Sequence, residues 1–454
     1  MPITECSQES FEFSGLFSRA VVGRFDGGKI TSDGGSLLLR EVDVRIRLLQ
    51  RLAECFRDGR DPGRVRHGVD QMLAQRVYGL ALGYEDLNDH EQLREDPLMA
   101  VLAGSTDMDQ PLAGKSTLNR LELGADPKVE DRYKKVHYDA EALDRLLVNI
   151  FLEAHAEPPE EIVIDLDATD LPVHGHQEQR FFHGFYNHYC YLPLYIMSGD
   201  HLLGVRLRAA NIDASAGSLE EIERIVQQIR QAWPEVKIIL RADSGFCRET
   251  LMSWCESHAV EYVFGFARNV RLRRIIEPAM QQAATFHCET GQPARVFTEF
   301  FYETNDSWSN LRRVVAKAEQ IEGKENPRYV VTSLAAAHWS AQALYENLYC
   351  ARGDLENRIK EQYSLFAGRV SAATMRANQL RLYLSAAAYL LLSAFRRLAL
   401  SGTEWARAQC ETIRSQLLRI GAQIRITVRR VWVSMASSYP HAKFFAHAYS
   451  QLRC

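Results

Sequence analysis

Paired cysteines are missing from this chain. Nine cysteines are scattered through 454 residues, and no two of them stand as a CxxC pair. That excludes a disulfide framework or a cysteine-rich structural zinc site as the organising device, and it points to a reducing compartment. A long apolar run is missing too. The most apolar stretch, Leu382 to Phe395, is flanked by Arg381, Arg396 and Arg397. It is shorter than the roughly 20 residues that a bilayer-spanning helix needs, so it reads as a buried core helix. The opening MPITECSQES carries no signal-peptide pattern. The expectation is a soluble, cytoplasmic protein with no membrane partner. Positive charge is not in excess either: the net charge is −4, so any nucleic-acid surface has to be a local patch. A phosphate-binding loop fails as well. Gly114-Lys115-Ser116-Thr117 resembles the end of one, but Asp109 stands where the motif needs its first glycine, and no strand precedes it.

What is there is the composition of an ordinary globular protein, long enough for two or three domains and a sizeable core. Helical periodicity dominates the first third. Thr31-Ser32-Asp33-Gly34-Gly35 leads into an amphipathic run, HGVDQMLAQRVYGLALGY follows, and residues 139–155 form a further amphipathic helix. The Pro-rich EPPEE then marks a boundary, which gives a mainly helical N-terminal domain over residues 1–156. Strands alternate with helices after it. EIVIDLDATD is an apolar strand ending in acid, two strands follow around Gly199-Asp200, Ser218 and Glu221 suggest a capping box for a helix to Trp233, and VKIILRADSGF is a second apolar strand ending in acid. That order predicts a mixed α/β sheet with a parallel component. Residues 269–328 read as a β-rich insertion, and a long helix runs from Ser340 to Phe366. The α/β domain spans 157–395, and 396–454 is a basic, helical C-terminal region whose arginines at 396, 397, 407, 414, 419, 425, 429 and 430 form the patch best suited to phosphate contact.

The acids are the chemistry-bearing residues. Asp165 and Asp167 are two apart on one strand and share a face, and Asp243 ends the second strand. Parallel neighbours would bring their acids to the same sheet edge, where α/β proteins place ligands. Facing carboxylates repel, and a divalent cation between them keeps both ionised; Mg²⁺ takes such oxygen ligands. A third acid is offered by the long helix, where Tyr349, Arg352 and Glu356 lie at i, i+3 and i+7, with Lys360 continuing the face. Either Asp165 or Asp167 satisfies the strand pattern.

These three segments resemble the acidic motifs of bacterial insertion-sequence DDE transposases. The carriers are Asp167-Ala168-Thr169, the RADSGF around Asp243, and Tyr349-x2-Arg352-x3-Glu356. LDATDLPVHGHQE, FYNHYCYLPLYI and RGDLENRIKE are similar in particular to the group numbered thirteen-eighty among insertion sequences, and SDGGSLLLREVD and LAGKSTLNRLE extend the likeness toward the N-terminus. The resemblance implies an RNase H-like mixed sheet with a β-rich insertion. It implies Asp167, Asp243 and Glu356 as catalytic ligands of two Mg²⁺ or Mn²⁺ ions per active site. It implies double-stranded DNA as partner, both the inverted-repeat ends and the target, and a homodimer within a synaptic complex on the bacterial nucleoid. It selects Asp167 over Asp165 as first ligand. Arg352 would clamp phosphate bidentately, with Tyr349 and Lys360 as further DNA contacts. Related families carry a lysine seven residues after the glutamate, where this chain has Tyr363. The expected activity is metal-dependent cleavage and strand transfer; the alternative is a catalytically silent, transposase-derived DNA-binding protein. Four histidines (174, 176, 183 and 188) crowd the segment after the first acid without zinc spacing, and the aromatics of FFHGFYNHYCYLPLY are expected mainly in the core.

Overall fold

Alternating apolar residues build the central sheet. The computed structural model describes residues 10–124 and 134–453, which divide into two compact units: residues 1–137 with 387–454, and Tyr138–Ala386. The sequence set boundaries at 156/157 and 395/396.

In the second unit the strands are β1 (Glu161–Ala168), β2 (Leu194–Ser198), β3 (His201–Arg206), β4 (Lys237–Ala242), β5 (Glu261–Phe266), β6 (Ala294–Tyr302), β7 (Arg312–Ile321), β8 (Lys324–Glu325) and β9 (Arg328–Thr332). They form one nine-stranded sheet in the order β3-β2-β1-β4-β5-β9-β7-β6, with β8 beside β7. β1, β4 and β5 run parallel; every other pairing is antiparallel. The principal helices are α1 (Ala140–Glu153), α2 (Ser218–Ala232), α3 (Glu249–Ser257), α4 (Glu277–Thr290) and α5 (Gly353–Ser364).

The period-2 alternation sorts side chains to two faces. Ile162, Ile164 and Leu166 of β1, with Ile238 and Leu240 of β4 and Phe264 of β5, pack with Val148 and Phe151 of α1, Ile222 and Ile225 of α2, and Leu251 of α3. Ile239 and Val263 face the other way, onto Leu344, Tyr345 and Leu348. Asp165 and Asp167 share the phase of Val163 and so belong to this second face.

Four local expectations change. The segment 269–328 mixes helix with strand. It opens with helices Val270–Ile275 and α4, and its strands extend the main sheet, because the open edge of β5 is paired by β9. The capping box at Ser218 does not form: Gly217 occupies the cap position, the Ser218 hydroxyl donates to the Ser215 carbonyl, and Glu221 reaches Arg206 at 2.6 Å. The long helix from Ser340 is continuous but irregular, passing through a π-turn at Leu344–Tyr349 and a 3₁₀ turn at Cys350–Arg352 into α5. The C-terminal region is not wholly helical, since Ala422–Ile426 and Val431–Met435 pair as a hairpin.

That hairpin belongs to the first unit, where it takes Lys29–Thr31 as third strand. The same unit holds helices Leu37–Ile46, Leu48–Glu54, Val69–Leu82, Pro97–Leu102 and Lys115–Glu122. Gly35 has a packing reason for being glycine, because a Cβ there would lie 2.0 Å from the Leu417 carbonyl oxygen. The arginine patch shrinks. Arg396 and Arg414 are buried and donate to the carbonyls of Ala408 and Ala81. Arg425, Arg429 and Arg430 remain exposed on the hairpin, two of them against the Trp432 ring.

Candidate active site

Parallel pairing fixes where the first two acids stand. Arg241 of β4 is opposite Asp165 of β1. Two residues further along each strand come Asp243 and Asp167, so both arrive at the same sheet edge, at the C-terminal ends of neighbouring parallel strands.

Asp165 is fully engaged. Arg241 grips it through Nε–Oδ1 at 2.6 Å and Nη2–Oδ2 at 2.7 Å, and donates its Nη1 to the Leu348 carbonyl at 2.6 Å. The pair is buried, and burial raises the Asp165 carboxyl against the pull of Arg241. This fork ties β1, β4 and the π-turn together, with one Arg241 bond on each carboxylate oxygen.

Asp167 faces a different company. Burial, the largest cause, pushes its carboxyl up to about 6; Arg352 opposes that, and the charges of Asp243 and Glu356 add to it. Oδ1 accepts from the Ala168 amide at 2.9 Å. Arg352 bridges the two outer acids loosely, with Nη1 3.3 Å from Asp167 Oδ2 and Nη2 3.4 Å from Glu356 Oε1. Burial pulls the Arg352 guanidinium down, but Asp167, Tyr349, Asp243 and Glu356 outweigh it and the group stays firmly charged. Asp243 caps the turn Ser244–Phe246 by accepting from the Gly245 amide at 2.8 Å. Glu356 is about half exposed on the first turn of α5.

Three carboxylates from β1, the end of β4 and α5 thus feel one another around a single guanidinium. Among the described residues no three acids, histidines or cysteines are drawn into a ready-made metal cage. The donor chemistry nonetheless fits a hard divalent cation, being all carboxylate oxygen with no thiolate or imidazole. Asp167, Asp243 and Glu356 bring three carboxylates to one guanidinium, more acid than that single cation balances.

The remaining candidates fall as follows. Tyr349 is half-buried and burial raises its hydroxyl. A Cβ added to Gly265 would lie 2.5 Å from Tyr349 Oη and 2.9 Å from the Ser244 amide, so glycine is what lets β5, Tyr349 and the Asp243 turn close up. The 3₁₀ turn Cys350–Arg352 follows Tyr349, and the Tyr349 hydroxyl and the Arg352 guanidinium lie within each other's field. Lys360 is exposed, one turn beyond Glu356. Tyr363 donates from its hydroxyl toward Thr169 Oγ1 (3.3 Å) and the Asp170 carbonyl (3.2 Å), docking α5 on the exit of β1. Asp170 meets His188 Nε2 at 2.7 Å through its own Oδ2. The aromatic segment splits: Tyr191, Tyr195 and Leu192 are core, while Phe181, Phe182, Phe185 and Tyr189 are exposed.

Arg241 was missed in the sequence, although its position two before Asp243, on the face that carries Asp165 next door, was a usable signal. The role of Tyr363 was missed as well, and no pattern in the sequence announces it.

The fold is a mixed α/β sheet with Asp167 and Asp243 at the ends of adjacent parallel strands. The family model described as transposase DDE domain group 1 matches residues 13–454, and the chain belongs to that family. No curated protein matches the sequence. Among solved structures the chain is similar to piggyBac transposase in a synaptic complex with hairpin DNA, with a TM-score of 0.42 and 11% identity over 86% of this chain and 80% of that one.

Proposed function

We propose that this protein is a DNA transposase that binds the ends of its element and cuts and joins DNA by two-metal phosphoryl transfer, with Asp167, Asp243 and Glu356 as the ligand set. The observation that carries the reading is the register of β1 and β4, which brings Asp167 and Asp243 side by side and within the field of Glu356. The order β3-β2-β1-β4-β5, with only β1, β4 and β5 parallel, supports an RNase H-like core.

In this reading bound Mg²⁺ or Mn²⁺ ions would activate the nucleophile and neutralise the scissile phosphate. The chain's own groups do the rest. Asp167 and Asp243 would hold the cations at the sheet edge and so set where the phosphate reacts. Glu356 closes the site from α5. Arg352, held only loosely by Asp167 and Glu356, would offer its fork to a phosphate oxygen pair. Water adds at phosphorus and the strand's 3′-oxygen leaves; that 3′-hydroxyl then adds to a target phosphodiester, and the target's own 3′-oxygen leaves. Two ends have to be held together, so a dimer in a synaptic complex is part of the proposal, as are end recognition by the helical unit, DNA contacts from Tyr349 and Lys360, a bacterial insertion-sequence origin near the group numbered thirteen-eighty, and a place on the nucleoid.

The Arg352 bridge is the one observation that favours a silent, DNA-binding derivative. A cleavage assay separates the two. With end-bearing duplex and Mg²⁺ the wild type is expected to cut, while Asp243→Asn and Glu356→Gln bind the same duplex and do not cut. Cleavage by Glu356→Gln at the wild-type rate overturns the assignment.

A further inference from the structure

A cavity of about 500 Å³ opens beside Asp243, beginning at Ser244 and continuing along the end of β5 to the β8–β9 turn. In the order of the sheet it lies on the β5 side of β4, whereas Asp167 lies on the β1 side. Gly265 and Tyr349 form part of its wall, and Arg268, Lys324 and Arg328 ring it.

The three cations are unlike their neighbours. In the same part of the chain Arg273 holds Glu277 and Glu325, Arg295 holds Glu319, Arg312 holds Glu249 and Glu256, and Arg313 holds Glu299, all within 2.7 Å. Arg268, Lys324 and Arg328 are exposed and form no ion pair with any described carboxylate. The carboxylate that does line the cavity, Glu325, is already neutralised by Arg273 through both its oxygens. Three like charges around one cavity repel unless an anion sits among them, and two of the three are forks suited to phosphate oxygens.

Position selects the anion. The cavity begins one residue after Asp243, so a strand whose reacting phosphate lies at Asp167 and Asp243 carries its neighbouring phosphates past Ser244 into the ring. We infer that this cavity is a phosphodiester-binding pocket for the DNA strand being cut, with Arg268, Lys324 and Arg328 as its phosphate contacts. The inference rests on the reading of Asp167, Asp243 and Glu356 as the reacting centre.

The test uses the full chain in the Glu356→Gln background, so that binding is read without cleavage. Duplex affinity is titrated against NaCl for that protein and for the added triple change Arg268→Ala, Lys324→Ala, Arg328→Ala. Each phosphate contact contributes about 0.9 to the slope of log K against log salt, so the triple variant is expected to lower the slope by roughly 2 to 3, equally for unrelated duplex sequences. Lys237→Ala, at the far end of β4, should leave the slope unchanged. If the triple variant does not fold, as judged by thermal melting, Arg268→Gln and Arg328→Gln are read singly, each with a loss of about 1. An unchanged slope with binding retained overturns the pocket and leaves the transposase reading intact. A titration with deoxyadenosine monophosphate addresses the other source of phosphate: binding that is lost in the triple variant while the DNA slope holds assigns the ring to a free nucleotide and overturns the inference. Failure of the transposase reading shows separately, as wild-type cutting that persists in Glu356→Gln.

Discussion

Asp165 and Asp167 lie two residues apart on one strand face, and their fates differ because of one neighbour. Arg241 takes both oxygens of Asp165, so that pair is a buried structural fork. Removing one partner of such a pair leaves a buried charge unmatched, at a cost of about 3–5 kcal/mol. Asp165→Ala is expected to lose that much stability in urea unfolding, and the joint change Asp165→Leu with Arg241→Met to recover most of it. Asp167 behaves differently. Its folded pKa is about 6 against an ordinary 3.8. Between those values the folded chain keeps a proton that the unfolded chain has released, so stability falls as pH rises through that window and stays reduced above it. A shift of about two units corresponds to roughly 3 kcal/mol. Without divalent cation, Asp167→Asn is expected to be more stable than wild type at pH 7.5, by up to that amount, and equal to it near pH 4. An equal gap at both pH values contradicts the burial account. The sequence shows that both acids end a buried strand; it does not show which one Arg241 claims, because that depends on the register of a strand 76 positions away.

At the scale of elements, alternation and helical spacing made β1, β4, α1 and α2 legible. The interruptions were not. The run from Ala341 to Ser364 has unbroken helical periodicity in its apolar residues, yet it passes through a π-turn and a 3₁₀ turn before α5. Such turns are rare inside helices and frequent at functional sites, and here the Leu348 carbonyl within the π-turn accepts from Arg241. α4 was illegible for another reason: only Met280 and Ala283 are buried along it, too few to write a stripe. The Tyr363 hydroxyl is what anchors α5 to the end of β1. Tyr363→Phe removes that donor, at about 1 kcal/mol of stability, and lets Glu356 drift from Asp167. Cleavage turnover is expected to fall while DNA affinity stays at the wild-type value; a matched loss of both contradicts a positioning role.

At the scale of the molecule, a net charge of −4 directs attention to patches. The arginine count of the tail overstated its surface, since Arg396 and Arg414 turn inward; an arginine's burial is decided by which carbonyls lie in reach, and sequence does not carry that. The ring of Arg268, Lys324 and Arg328 was invisible for the opposite reason. Arg268 follows β5 while Lys324 and Arg328 flank the β8–β9 turn, and the pairing of β5 with β9 brings them together.

In the proposed reaction the acids work through divalent cations on the scissile phosphate. Sulfur substituted for a non-bridging oxygen at that phosphate tests it most directly, because Mg²⁺ binds sulfur poorly and softer Mn²⁺ tolerates it. The account predicts that at least one phosphorothioate diastereomer is cut far more slowly than the oxygen substrate in Mg²⁺ and recovers in Mn²⁺. Cleavage of both diastereomers at the oxygen rate in Mg²⁺, or a loss that Mn²⁺ does not restore, would contradict it.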